Sequence, residues 1–306
     1  MRWQSCLKFF SVMAATICLQ GISMVAGRAD EDDLGLSVED DAAYRVNAEA
    51  IKNSKVWGGV PVAKGAYPAI VGITQAGRRQ VQCTGSLIES DLVLTAAHCV
   101  CGGITGSVVF ADREGTGSSI KVAASTHRLN SCGGALTNGS DVGLLLLSQK
   151  ASVSPLEMQT DETVQAATSY QVVGFGGYGL DSSGQLLAGQ KRETTVPSGT
   201  NDCKGTVPGS SRTYASAFGC APGAEIVAGK TGLGRDTCNG DSGGPILAGP
   251  AGTVVGQTES ALKLAGTTSR ATKSARVPCG DGGIYVRLTP EVRQWITQAS
   301  KTLRQK

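Results

Sequence analysis

The apolar positions of this chain fall in short runs separated by turn-forming residues. Val81 to Ile88, Leu92-Val93-Leu94, Ser107 to Phe110, Leu144 to Leu147, Tyr170 to Phe175, Thr253 to Gly256 and Ile284 to Leu288 each have the length of a strand. Gly, Ser, Asn and Asp cluster between them, and the chain has 42 glycines but only 5% aromatic residues. The pattern predicts an all-β chain, without separating a sandwich from a barrel. One segment departs from it. Thr289 can cap a helix with Pro290 at its first position. Val292, Trp295, Ile296, Ala299 and Leu303 then share one stripe, with Lys301, Arg304 and Lys306 at the negative end. This predicts a C-terminal helix docked on the body of the protein rather than lying on a membrane.

The first residues have another pattern. Met1-Arg2 and Lys8 give a positive start, Phe9 to Leu19 is a short apolar core, and Gly27-Arg28-Ala29 supplies small residues, as in a secretory signal peptide spanning 1–29. No apolar run reaches the ~18–20 residues that a spanning helix needs. Residues 30–55 carry Asp30-Glu31-Asp32-Asp33 and Glu39-Asp40-Asp41 among few large apolar residues, too few for a core of their own. Of ten cysteines, Cys6 and Cys18 fall in the leader. The eight that remain form an even set, which suits disulfides in an oxidising, extracellular space, with 105 pairings open. Cys99-Val100-Cys101 lacks zinc-ligand spacing, so no metal is expected there.

The candidate chemistry centres on Gly240-Asp241-Ser242-Gly243-Gly244-Pro245, a tight turn that can expose a serine while holding it. A serine nucleophile needs a base, a carboxylate to orient that base, and N–H donors for the developing oxyanion. The chain has only two histidines. His98, in Thr95-Ala96-Ala97-His98-Cys99, follows a strand-like run, whereas His127 has no supporting pattern and reads as an ordinary surface residue. Asp141, in Ser140-Asp141-Val142-Gly143, stands at the mouth of a buried apolar run. A turn or capping aspartate would look the same, as would a desolvated partner that fixes an imidazole tautomer.

With these signatures in the order His98, Asp141, Ser242, the chain resembles the trypsin-like (chymotrypsin-family) serine proteases over roughly residues 56 to 298. The resemblance implies two packed six-stranded antiparallel β-barrels, split near residues 155–165; the terminal helix is expected to dock on the second. It implies His98 and Asp141 from the first barrel, Ser242 from the second, and oxyanion donors at Gly240 and Ser242. Lys55 and Val56 resemble an activation site: cleavage would end the acidic propeptide 30–55, open the peptidase domain 56–306, and free an amino group to pair with Asp241. Asp236, six residues before Ser242, would floor a pocket for Arg or Lys, with Gly283 leaving its wall open. An Asp236 paired with its neighbour Arg235 in a polar turn is the plainer alternative. The disulfides implied are Cys83 with Cys99, Cys203 with Cys220, and Cys238 with Cys279. Cys101 and Cys132 are left for a fourth bridge that no family pattern supports.

The resemblance implies a secreted endopeptidase made as a zymogen, acting on protein or peptide substrates after an activating protease. An inactive binding protein of the same fold is the alternative. No cofactor is implied, and Asp112 to Ser119 holds too few acids for a calcium loop. Net charge is +3; removing residues 1–55 takes 6 of 28 Lys/Arg and 8 of 25 Asp/Glu and leaves +5. So small an excess does not argue for nucleic acid. No membrane partner is expected, and a monomer is. One departure stands out: the family's Ser-Trp-Gly strand after the nucleophile is missing from Val255-Gly256-Gln257-Thr258-Glu259-Ser260-Ala261 and cannot be read in the polar stretch up to Cys279.

Overall fold

The computed structural model describes residues 57–101, 106–133, 136, 138–250 and 259–305. The leader, the acidic segment, Lys55, Val56 and the expected strand Thr253 to Gly256 lie outside the described residues. The chain starts along what becomes the second barrel, where β1 (Val60–Pro61) pairs with residues Arg192 and Glu193. It then builds the first barrel from β2 (Ile70–Thr74), β3 (Val81–Glu89), β4 (Leu92–Thr95), β5 (Ser107–Phe110), β6 (Ser118–His127) and β7 (Gly143–Leu147). These pair antiparallel in the order β2-β3-β4-β7-β6-β5, and Gly72 and Ile73 meet Val109 and Val108 to close the ring. Closure removes the free edges a sheet would otherwise expose.

The second barrel contains β8 (Ser169–Gly174), followed by the small hairpin β9 (Gly179–Leu180) and β10 (Leu186–Leu187), which stands outside the ring. It continues with β11 (Arg192–Thr200), β12 (Glu225–Ala228), β13 (Pro245–Ala248), β14 (Lys263–Ala271) and β15 (Gly283–Arg287). The order β8-β11-β12-β15-β14-β13 closes because β8 pairs with both β11 and β13. Residues 148–168 cross between the barrels. The all-β expectation of two six-stranded barrels with a terminal helix therefore holds. Strands β2, β6, β11, β12, β13 and β14 were not among the runs read from hydrophobicity. Two of the longest lack a continuous apolar run: β11 alternates buried with half-exposed residues, and β6 is exposed or half-exposed except at Ile120.

Short helices occur at turns: α1 (Ala97–Val100), α2 (Asp161–Ala166) and α3 (Tyr214–Phe218). The terminal helix, α4 (Pro290–Leu303), has Thr289 as N-cap, its hydroxyl accepting from Val292 N at 3.3 Å, and Pro290 in its first turn. Its docking corrects the expectation of a helix on the second barrel. It lies against β6 and β7 of the first. Val292, Ile296 and Leu303 share one buried cluster with Leu92, Leu94 and Leu144 of the first barrel and with Leu247, Leu264, Val286 and Leu288 from the second. Arg304 reaches Glu89 and Asp91 beside the β3–β4 turn, at 2.7 and 2.5 Å. The apolar stripe thus seals the seam between the barrels, where both offer uncovered apolar side chains. No described helix is long and apolar enough to cross a membrane.

Candidate active site

Strand β4 ends at Thr95, whose hydroxyl donates to Thr84 O at 2.9 Å, and the backbone turns at once into α1 with His98. A disulfide from Cys99 to Cys83 ties this turn to β3. Asp141 comes two residues before β7, whose Leu144, Leu145 and Leu147 are buried, and is carried inside with no exposed surface. A carboxylate buried in this way is tolerated only if its oxygens are filled by donors. One oxygen accepts His98 N at 3.0 Å. The other accepts His98 Nδ1–H at 2.9 Å and Ser269 Oγ–H, from β14 of the second barrel, at 2.6 Å. Burial pushes the Asp141 carboxyl up, but the hydrogen bonds and charge of His98, with the bond from Ser269, outweigh it and hold the group below its ordinary value. An ionised carboxylate can only accept, so Nδ1 of His98 carries the proton and Nε2 is left as a base.

The Ser242 loop is pinned from both barrels. Thr84 of β3 donates its N–H to Ser242 O at 2.9 Å and its hydroxyl to Gly240 O at 2.8 Å. From β14, Thr267 and Thr268 donate their hydroxyls to Gly243 O and Gly244 O at 2.9 and 3.0 Å. Gly243 must be glycine twice over: its φ is +77°, and a Cβ there would stand 2.0 Å from Thr95 Oγ1 and 2.5 Å from Ala96 N. That contact sets Ser242 against the turn carrying His98. Gly177 N donates to Asn239 O at 2.8 Å, which fixes the peptide that ends in the Gly240 N–H. Among the described residues neither Gly240 N–H nor Ser242 N–H has a protein acceptor.

Asp236 and Asp241 flank the same loop and are each 1% exposed. Asp236 accepts the Tyr285 hydroxyl at 2.7 Å and its neighbour Thr237 N at 2.7 Å, and no ion pair to Arg235 is present among the described residues. Burial drives its pKa up to about 7 despite those bonds. Burial, the nearby Asp236 charge and the hydrogen bond to it hold the Tyr285 hydroxyl well above its ordinary value, so it remains a donor. A Cβ on Gly283 would meet Tyr285 Oη at 2.9 Å, so a side chain there would crowd the groups around Asp236. Asp241 accepts Gly176 N at 2.7 Å and Cys238 N at 2.9 Å; burial raises it too to about 7. No cationic side chain pairs with it among the described residues.

Residues 56–296 match the family model described as Trypsin. The chain belongs to the trypsin family. A trypsin-like protease of Streptomyces glaucescens is 30% identical over 66% of this chain and 70% of its own length. A trypsin of Saccharopolyspora erythraea is 29% identical over 67% and 82%. Among solved structures, mouse neuropsin, a serine protease, superposes with a TM-score of 0.56 at 23% identity, covering 80% of this chain and 98% of its own, a likeness of fold. Membership of the trypsin family gives serine protease hydrolase as the general class of activity.

Within that family frame the structure supplies residues that the sequence did not. Downstream of Ser242, β14 carries Ser269-Arg270-Ala271 in the polar stretch before Cys279 where no Ser-Trp-Gly could be read, and its Ser269 is the residue that reaches Asp141. Of the segment searched first, Val255 to Ala261, residues 255–258 lie outside the described residues and Glu259–Ala261 form a short 3₁₀ turn. Thr84, Thr267, Thr268 and Ser269 went unnoticed because each matters through a contact distant in sequence. Leu264-Ala265-Gly266-Thr267-Thr268-Ser269 is buried throughout and has no polar–apolar alternation, so its polar half carried no strand signal. His127 is corrected: it is half-buried in β6, with Nε2 3.7 Å from the sulfurs of both Cys101 and Cys132. Those cysteines are joined, as are Cys203 with Cys220 and Cys238 with Cys279. Two groups have metal-ligand proximity, Cys83/His98/Cys99 and Cys101/His127/Cys132. In each the sulfurs are spent on a disulfide, so neither offers thiolates.

The raised Asp236 pKa has a measurable sign. In the unfolded chain the group titrates near about 3.9, so the folded protein holds an extra proton between that value and about 7. The linked stability is complete below the unfolded value and is lost as pH rises through the folded one. Asp236→Asn keeps the acceptor for Tyr285 and removes the titration. Thermal melting should show the variant gaining on wild type between about pH 4 and about pH 7, then holding a constant lead. A difference independent of pH would contradict the assignment.

Proposed function

We propose that the protein is a secreted serine endopeptidase, made as a zymogen, that cuts after Arg or Lys through an acyl-enzyme. The observation that carries this is the Asp141–His98 pair, fixed in one tautomer with Nε2 free, beside a turn that presents Ser242. In the mechanism, Ser242 Oγ attacks the scissile carbonyl as His98 Nε2 takes its proton, and Asp141 stabilises the imidazolium without taking the proton itself. The Gly240 and Ser242 N–H groups receive the oxyanion. His98 then gives its proton to the leaving amine, and water repeats the sequence to release the acid.

Asp241 supports the zymogen reading. It is a buried carboxyl with backbone donors and no described cation, and an α-amino group freed at Val56 by cleavage after Lys55 would supply one. The leader and the four disulfides favour secretion. Labelling by an organophosphorus serine reagent, before and after treatment with trypsin, tests triad and activation together. Ser242 should label only after cleavage, Lys55→Gln should stay unlabelled, and Ser242→Ala, His98→Ala and their double variant should lose peptidase activity to a similar extent. An unlabelled cleaved protein would favour an inactive binding protein; additive losses would remove the triad.

Asp236 supports the specificity. Arginine offers it two parallel N–H···O bonds and lysine a single point charge, so both fit and arginine is favoured. On fluorogenic peptides varied only before the cut, Asp236→Ser should lower kcat/KM for Arg by about a hundredfold or more. Retained Arg preference in that variant, or wild-type preference for Phe or Leu, would refute the pocket.

A further inference from the structure

Next to Ser269 on β14 stands Arg270, a cation that the catalytic scheme above does not use. Its guanidinium grips Glu225 of β12 bidentately, Nη1 to Oε1 at 2.9 Å and Nη2 to Oε2 at 2.8 Å, and Glu225 has no exposed surface. It also donates to Leu136 O at 2.8 Å and Gly219 O at 2.9 Å. Glu225 in turn accepts Gly139 N at 3.3 Å and Ala221 N at 2.8 Å. The pair therefore fastens the second barrel to the loop that leads into Asp141. One further contact points at the chemistry: Arg270 Nη1 lies 3.3 Å from Ser269 Oγ, the hydroxyl that donates to Asp141.

A guanidinium has donors and no acceptor, whereas a serine hydroxyl has one proton and two lone pairs. Ser269 therefore cannot turn its proton toward Arg270, and the positive charge on that side favours its lone pairs there. We propose that Arg270, clamped by Glu225, is a positioning residue for the triad, committing the Ser269 proton to Asp141 and so fixing the carboxylate that holds His98. This rests on the triad reading above. Among the described residues Arg270 bonds to neither His98 nor Ser242, so the effect proposed for it on the reaction passes through Ser269.

That dependence is what a double-variant cycle measures. The parent is first titrated with the organophosphorus reagent, and kcat is expressed per labelled site, which removes any loss of folded protein from the comparison. In the Ser269 parent, Arg270→Met should lower kcat about tenfold with KM within about twofold, as for a lost charged hydrogen bond felt in the transition state. In a Ser269→Ala background the same substitution should cost less than about twofold. Arg270→Lys, keeping the charge but not the fork, should restore part of kcat. If Arg270→Met does not fold, Glu225→Gln, which loosens the clamp and leaves the guanidinium, runs through the same cycle with the same expectation. Equal losses in both backgrounds, a change confined to KM, or no loss overturns the inference alone. A parent that never labels at Ser242 overturns the triad reading, and this with it.

Discussion

One buried carboxylate ties the structure to its chemistry. Asp141 has no exposed surface, and its oxygens are filled by His98 from the first barrel and Ser269 from the second. A buried charge of this kind is strongly unfavourable when a partner is lost. The relative placement of the barrels and the orientation of the imidazole are therefore one constraint. Either barrel alone would leave Asp141 short of a donor, and the pair holds it ionised.

The Ser242 loop obeys a similar rule. Its carbonyls at Gly240, Ser242, Gly243 and Gly244 are each held by a threonine, two from Thr84 of β3 and two from Thr267 and Thr268 of β14. Among the described residues the Gly240 and Ser242 N–H groups of this turn have no protein acceptor. Just upstream, Asp236 and Asp241 are buried on either side of Cys238, whose bridge to Cys279 links this segment to the approach of β15. The site is thus built on loops, but every loop is fixed by rigid strands on both flanks.

Much of the fold was legible because it is local. Apolar runs such as Leu92–Leu94 and Leu144–Leu147 are strands, and Thr289-Pro290 starts the terminal helix. The candidates His98, Asp141 and Ser242 were picked out from short neighbourhoods, and the fold brings His98 and Asp141 into contact. What stayed hidden depends on contacts across the chain. Strand β14 is polar because its Thr267, Thr268 and Ser269 side chains are buried donors to the site, so hydrophobicity passed over it. No Ser-Trp-Gly run marked the strand either. The side chosen by α4 was equally unreadable, since its stripe fits the apolar surface of both barrels and Arg304 selects carboxylates more than two hundred positions away.

The central claim is that Asp141 is an ionised acceptor shared by the barrels. A carbon-detected NMR titration of the Asp141 carboxyl in the folded protein reads this directly. The carboxyl should titrate below the ordinary aspartate value of about 3.9, with the His98 Nδ1 proton retained above that pH. A carboxyl that is still protonated at neutral pH, or a His98 whose proton rests on Nε2, would contradict the account.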